Sequence, residues 1–103
     1  MKSNKNIVLI GMMGSGKSSI GKILSKKLNL TFIDIDQKIE ETEGSKISEI
    51  FTKYGEKYFR KIEEKISLKF LSSENSVISL GGGGFINVSI RKMCEKNCLS
   101  IWL

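Results

Sequence analysis

The stretch IVLIGMMGSGKS, residues 7–18, constrains this chain more than any other. Four apolar residues run into Gly11, and after four more positions stand Gly16, Lys17 and Ser18, which completes the pattern GxxxxGK[ST] of a phosphate-binding loop. The order makes physical sense. A buried strand delivers the backbone to a glycine turn whose N–H groups can curl around an anion, and a helix starting near Lys17 points its positive dipole end at the same place. In such a loop Lys17 reaches terminal phosphates and Ser18 offers its hydroxyl to Mg²⁺. An ordinary glycine turn is the competing reading, but the strand before the loop and the helix after it favour the phosphate site.

With 103 residues the chain is expected to form one domain with a modest core, residues 1–103 in a single unit. Its 40% hydrophobic and 27% charged residues are those of a globular protein, and no apolar run approaches the roughly 20 residues of a membrane span. The first apolar run stops at the glycine loop, too short for a signal-peptide core, so a cytoplasmic protein without membrane contact is expected. Histidine is absent, which excludes Ser-His-Asp and Cys-His catalysis. Cys94 and Cys98 lack histidine partners for a four-ligand zinc site and read as two reduced, packed thiols. The net charge of +6 is scattered along helices between glutamates, which argues for a solvated basic surface and against nucleic acid. A positive field also favours capture of anionic small molecules.

In chain order, Ile20, Ile23, Leu24 and Leu28 predict a helix over Lys17–Leu28 closed by Asn29. Residues 30–33 form a second apolar run without polar alternation, the mark of a parallel sheet covered on both faces. Gly44 and Ser45 then read as a break and a helix cap, followed by a short helix through Ile47, Ile50, Phe51 and Tyr54 up to Gly55. A longer helix carries Phe59, Ile62, Ile66 and Phe70 as its apolar stripe, with Lys57, Lys61, Glu64 and Lys65 on the wet face. Residues 77–80 make a third strand, residues 81–84 are four glycines, Asn87 caps a helix with Ile90, Met93 and Cys94, and residues 98–103 make a fourth strand.

Parallel strands in open α/β sheets direct their C-terminal ends into one crevice, and this collects a second set of residues. Asp34 and Asp36 follow strand two, where two carboxylates can hold Mg²⁺ through water and accept hydrogen bonds from a substrate hydroxyl. Asp34 with Gln37 also resembles a capping box, so for either aspartate alone both readings stand. The glycine run follows strand three at the same end. It reads as backbone approaching a ligand closely, or as a connector. Arg60 is either a site residue or a surface partner of Glu63 and Glu64.

The residues now carry a family resemblance. GMMGSGKSSIG at 11–21, FIDID at 32–36, IFTKYGEKYFRKIE at 50–63 and ISLGGGG at 78–84 stand in the order and spacing of the N-terminal part of a shikimate kinase. The resemblance spans essentially the whole chain and implies Mg²⁺-dependent transfer of the ATP γ-phosphate to the 3-hydroxyl of shikimate, in aromatic amino-acid biosynthesis. It implies an α/β fold of the P-loop NTPase type, a parallel sheet flanked by helices, with four of the family's five strands present in the order 2-3-1-4-5. Carried over residue by residue, it makes Lys17 and Asp36 catalytic, with Asp36 also holding the shikimate hydroxyls. Gly14, Ser15, Gly16, Lys17, Ser18 and Ser19 bind the nucleotide, and Ser18 with Asp34 positions Mg²⁺. Arg60 pairs with the shikimate carboxylate, Gly81, Gly82 and Gly83 contact its ring, and Phe51 and Phe59 wall the pocket or simply belong to the core.

The chain departs from the family by stopping in the fourth strand, before the arginine-bearing lid, adenine-contacting loop, last helix and fifth strand. The expectation is therefore a fragment or early-terminated chain. The family reading is a monomer, whereas this chain is expected to self-associate through strand four and to show little turnover, because phosphoryl transfer needs charge and closure around the transferring group. Two other readings stay open: a gluconate- or nucleoside-type P-loop kinase, which would have no reason to keep Asp36, Arg60 and the glycines together, and a nucleotide-binding module without catalysis.

Overall fold

A computed structural model describes residues 6–11, 16–81 and 87–102, leaving out the side chain of Trp102. The elements in order are β1 (Asn6–Ile10), α1 (Lys17–Leu28), β2 (Thr31–Asp34), α2 (Ile35–Glu43), α3 (Ile47–Tyr54), α4 (Glu56–Leu71), β3 (Ser76–Ser79), α5 (Val88–Asn97) and β4 (Cys98–Trp102). All strand pairings are parallel, in the order β2-β3-β1-β4. That is the expected order for these four strands, with β4 at an edge beside β1 and Leu99 exposed.

Alternation along the strands splits the core into two layers. Val8, Ile10, Ile33, Ile78 and Leu80 join one cluster with Ile35 and Ile39 of α2, Ile50 of α3, Phe59, Ile66 and Leu71 of α4, and Ile90 and Cys94 of α5. Leu9 and Phe32, of opposite parity, meet α1. The helix is where expected and ends at Asn29 in left-handed conformation, φ 58°. Its inward face, however, is not the apolar stripe that betrays it. Gly21 and Ser25 are buried, while Ile20, Ile23 and Leu28 are 39, 59 and 49% exposed.

Close approach explains the inversion. A Cβ on Gly21 would lie 2.9 Å from Phe32 Cδ1 and 3.2 Å from Leu9 Cδ1, so α1 sits on the sheet through a residue with no side chain. Gly21→Ala is expected to destabilise the chain by about 1–3 kcal/mol through overpacking, read as a lower Tm in thermal denaturation. An unchanged Tm would mean that Phe32 and Leu9 move aside at no cost.

Other boundaries shift for identifiable reasons. β2 starts at Thr31 because the N–H of Leu30 still bonds the Ser25 carbonyl of the α1 terminus, at 2.8 Å. Ser45 is not the cap of α3: Lys46 holds that position, its N–H donating to Glu49 Oε1 at 3.0 Å, and Glu40 from α2 accepts from the Ile47 N–H at 2.9 Å. α2 itself is a helix that the apolar spacing did not announce. In α4 the buried face runs Phe59, Glu63, Ile66, Ser67 and Leu71, with Ile62 and Phe70 only partly buried, so a carboxylate lies in the stripe. Asn6, 1% exposed, pins the start of β1: its Nδ2 donates to the carbonyls of Leu71 and Ser73, and its Oδ1 accepts from the Ser76 N–H. Cys94 and Cys98 are buried and not joined in a disulfide, and the hydrogen bond that the Cys94 thiol makes to Cys98, followed by burial, pushes the Cys94 thiol up. No described helix is long and apolar enough to cross a membrane.

Candidate active site

The C-terminal ends of β1, β2 and β3 and the start of α1 form the crevice. Gly16 precedes α1 with φ 84°, and the Lys17 ammonium donates to the Gly11 carbonyl at 2.8 Å, which holds it across the loop mouth. Ser18 Oγ donates to Asp34 Oδ2 at 3.3 Å, linking the first turn of α1 to the end of β2.

Asp34 answers both of its sequence readings. Its Oδ1 accepts the Gln37 N–H at 3.3 Å and so caps α2, while its Oδ2 faces Ser18. The cap therefore orients the carboxylate that the crevice uses. A side-chain hydroxyl and a carboxylate oxygen meeting at a helix N-terminus are hard oxygen donors, the chemistry that suits Mg²⁺.

Asp36 follows in the first turn of α2. Its carboxyl is held above the ordinary range, first by burial, then by the nearby charges of Asp34 and Glu63, with Lys17 pulling the other way and Glu40 adding a smaller push. Gly81 abuts it: a Cβ at that position would stand 2.6 Å from Asp36 Oδ1. The glycine that opens the run is thus required by the carboxylate beside it, as close approach of backbone to a site group predicts.

Arg60 takes part of its bland reading and turns it to use. Its Nη1 donates to Glu63 Oε1 at 2.9 Å, and its Nε lies 3.6 Å from Glu56. Glu63 is no surface partner, however, being only 2% exposed. The Arg60 side chain is itself 42% exposed and its guanidinium carbon lies 5.4 Å from the Phe59 ring centre, so a buried carboxylate and an aromatic face hold the group at the surface. The Glu63 bond pushes the Arg60 pKa up, leaving a permanent cation.

Lys17, Ser18, Asp34, Asp36 and Gly81 are brought together, and Glu63, whose charge Asp36 feels, ties Arg60 to them. Ser19 is exposed in the first turn of α1. Gly14, Ser15, Gly82 and Gly83 lie outside the described residues. Phe59 is core, 4% exposed, and Phe51 packs on it with ring centres 4.7 Å apart. Glu63 is the site residue that sequence reasoning missed. Its phase was the available signal, since it stands four residues after Phe59 and three before Ile66 on the buried face.

The family model described as shikimate kinase matches residues 13–103. The chain belongs to the shikimate kinase family. It is 51% identical over 100 residues to a shikimate kinase of Persephonella marina, covering 96% of this chain and 60% of that protein. A shikimate kinase from Acinetobacter baumannii, solved in complex with shikimate, superposes with a TM-score of 0.93 at 33% identity, over 96% of this chain and 55% of that one. A gluconokinase from Sinorhizobium meliloti shares the fold, with a TM-score of 0.62 at 20% identity over 99% of this chain and 58% of that one. That likeness extends to architecture alone, so the gluconate-type reading gives way to the shikimate kinase family. The chain spans about 60% of the length of the Persephonella relative.

Proposed function

We propose that this chain carries the phosphate-holding and substrate-holding parts of a shikimate kinase, which transfers the γ-phosphoryl group of ATP to the 3-hydroxyl of shikimate in the cytoplasm. The observation that carries the reading is Asp36. It is a half-buried carboxylate with a raised pKa, wedged against Gly81 and acted on by the charges of Lys17 and of Glu63, the residue that holds Arg60.

In this reading Lys17 exchanges the Gly11 carbonyl for β- and γ-phosphate oxygens, and the amides from Gly14 to Ser19 cradle the phosphates. Ser18 and Asp34 are the oxygens that would hold Mg²⁺, which when bound neutralises charge developing on the phosphates. Arg60 pairs with the shikimate carboxylate, and Gly81, Gly82 and Gly83 lie along its ring. Asp36 accepts a hydrogen bond from the 3-hydroxyl and takes its proton as that oxygen bonds to the γ-phosphorus. The bond from phosphorus to the β–γ bridging oxygen breaks, and ADP leaves. The elevated pKa suits a base working near neutrality better than an ordinary carboxylate would.

Calorimetric titration with MgATP, shikimate and, for contrast, gluconate tests the reading. Shikimate and MgATP should bind and gluconate should not. Lys17→Ala is expected to weaken MgATP by about 1.5–3 kcal/mol, the range for a charged hydrogen-bond partner. Equal nucleotide affinity in the folded variant and the parent would remove Lys17 from the phosphate site.

A further inference from the structure

Gly21 and Gly81 both lack room for a side chain, but against different neighbours. A Cβ on Gly21 would press on the Phe32 ring and on Leu9 beneath α1, so alanine there strains the packing. At Gly81 the three nearest neighbours of a Cβ are all atoms of the Asp36 carboxyl: Oδ1 at 2.6 Å, and Cγ and Oδ2 both at 3.3 Å. Backbone conformation does not call for glycine at this position. Gly16, Gly44 and Gly55 have positive φ, and Gly81 does not.

The contact is built by the sheet. Parallel pairing sets Asp34 beside Ser79, and two residues further along each segment stand Asp36 and Gly81. α2 begins directly at Ile35, with no loop between, so Asp36 stays beside the end of β3. Both backbones are held. Leu80, 1% exposed, donates its N–H to the Leu9 carbonyl at 3.2 Å, which ties the residue before Gly81 to β1. On the other side Ile35 is fully buried, and Asp34 caps α2 through the Gln37 N–H. What can yield at this contact is the Asp36 side chain, through its own torsions.

We infer that Gly81 is a positioning residue for Asp36, its missing side chain keeping open the space that the carboxylate occupies and so setting the angle at which that carboxylate meets the substrate hydroxyls. The inference rests on the proposed shikimate reading and extends it. The glycine acts through the carboxylate, and not only by a contact of its own with the ring.

Gly81→Ala is therefore expected to turn the Asp36 carboxylate and leave the fold in place. In the ligand-free chain the carboxyl carbon resonance of Asp36 should move, while Tm stays near the parent's, in contrast with the drop expected for Gly21→Ala. Shikimate affinity measured by NMR titration should fall about tenfold, the size of coupling found between residues in contact. In an Asp36→Ala background, where no carboxylate is left to displace, the same glycine change should cost less than about twofold. Equal losses in the two backgrounds would mean that the added methyl acts on the ligand directly, and would overturn the inference while the shikimate reading stands. An unmoved Asp36 resonance in Gly81→Ala would do the same, as would a Tm as low as that of Gly21→Ala, because the backbone and not the carboxylate would then be giving way. A parent chain that binds no shikimate would overturn that reading and the inference with it.

Discussion

Asp36→Asn is expected to lower whatever phosphoryl transfer the parent chain shows by about 10² to 10⁴, the usual worth of a positioned base, and at the same time to raise Tm at neutral pH. The two effects share one cause. Burial, then Asp34 and Glu63, oppose ionisation of Asp36 in the folded chain, and Lys17 compensates only in part. A carboxyl whose folded pKa lies above its unfolded one contributes stability below the unfolded value and loses it as pH rises through the folded value. At neutral pH the parent therefore carries an unfavourable charge, and asparagine removes it while keeping the shape. The Tm gain should be largest near neutrality and vanish as the pH falls below about 4, where the parent is protonated too. Thermal melts across that pH range, with a coupled assay for ADP release, read both effects. A variant less stable than the parent at neutral pH would mean that Asp36 is a structural helix-terminus charge and not a strained base.

How far such a site could be read from residues alone depends on which signal each residue emits. The loop announced itself because Gly16, Lys17 and Ser18 are fixed at adjacent positions, and the structure brings Ser18 to Asp34, a pairing that only the family resemblance implied. Strand order followed from the family resemblance. The facing of α1 did not follow from periodicity, which detects clustered apolar residues and not which side they bury. Where a helix must lie close, Gly21 and Ser25 go inward and the larger Ile20 and Ile23 are left outside. α2 was silent for another reason. Its nine residues include only Ile35 and Ile39 as apolar anchors, one i, i+4 pair, and the Asp34 cap was the sole local mark of a helix. Glu63 escaped because a carboxylate three residues from an arginine is most often a surface pair. Its place in the stripe of Phe59 and Ile66 carried the information that its charge concealed.

Arg60→Ala brings that buried carboxylate into play and is expected to cost shikimate binding about 2–5 kcal/mol, the range for truncating one side of a hydrogen-bonded charge pair. The Arg60 side chain is 42% exposed before any ligand arrives, so the loss belongs nearer the lower bound, about thirtyfold in Kd. Two contributions must be separated, because the variant also strands Glu63 at 2% exposure without its partner, and an unpaired buried charge destabilises the fold. Arg60→Lys makes the distinction. It keeps a cation for Glu63 but loses the planar fork that grips a carboxylate through two bonds, so Tm should stay near the parent's while shikimate affinity remains reduced. Glu63→Gln completes the set by keeping an acceptor for Arg60 and removing the charge that aims it. MgATP affinity should hold in all three variants if Arg60 and Glu63 serve the shikimate carboxylate alone. Shikimate titration shifts in Arg60→Ala that match the parent's would return Arg60 to the role of a partner for Glu63 and Glu56, and the carboxylate arm of the site would have to be sought elsewhere.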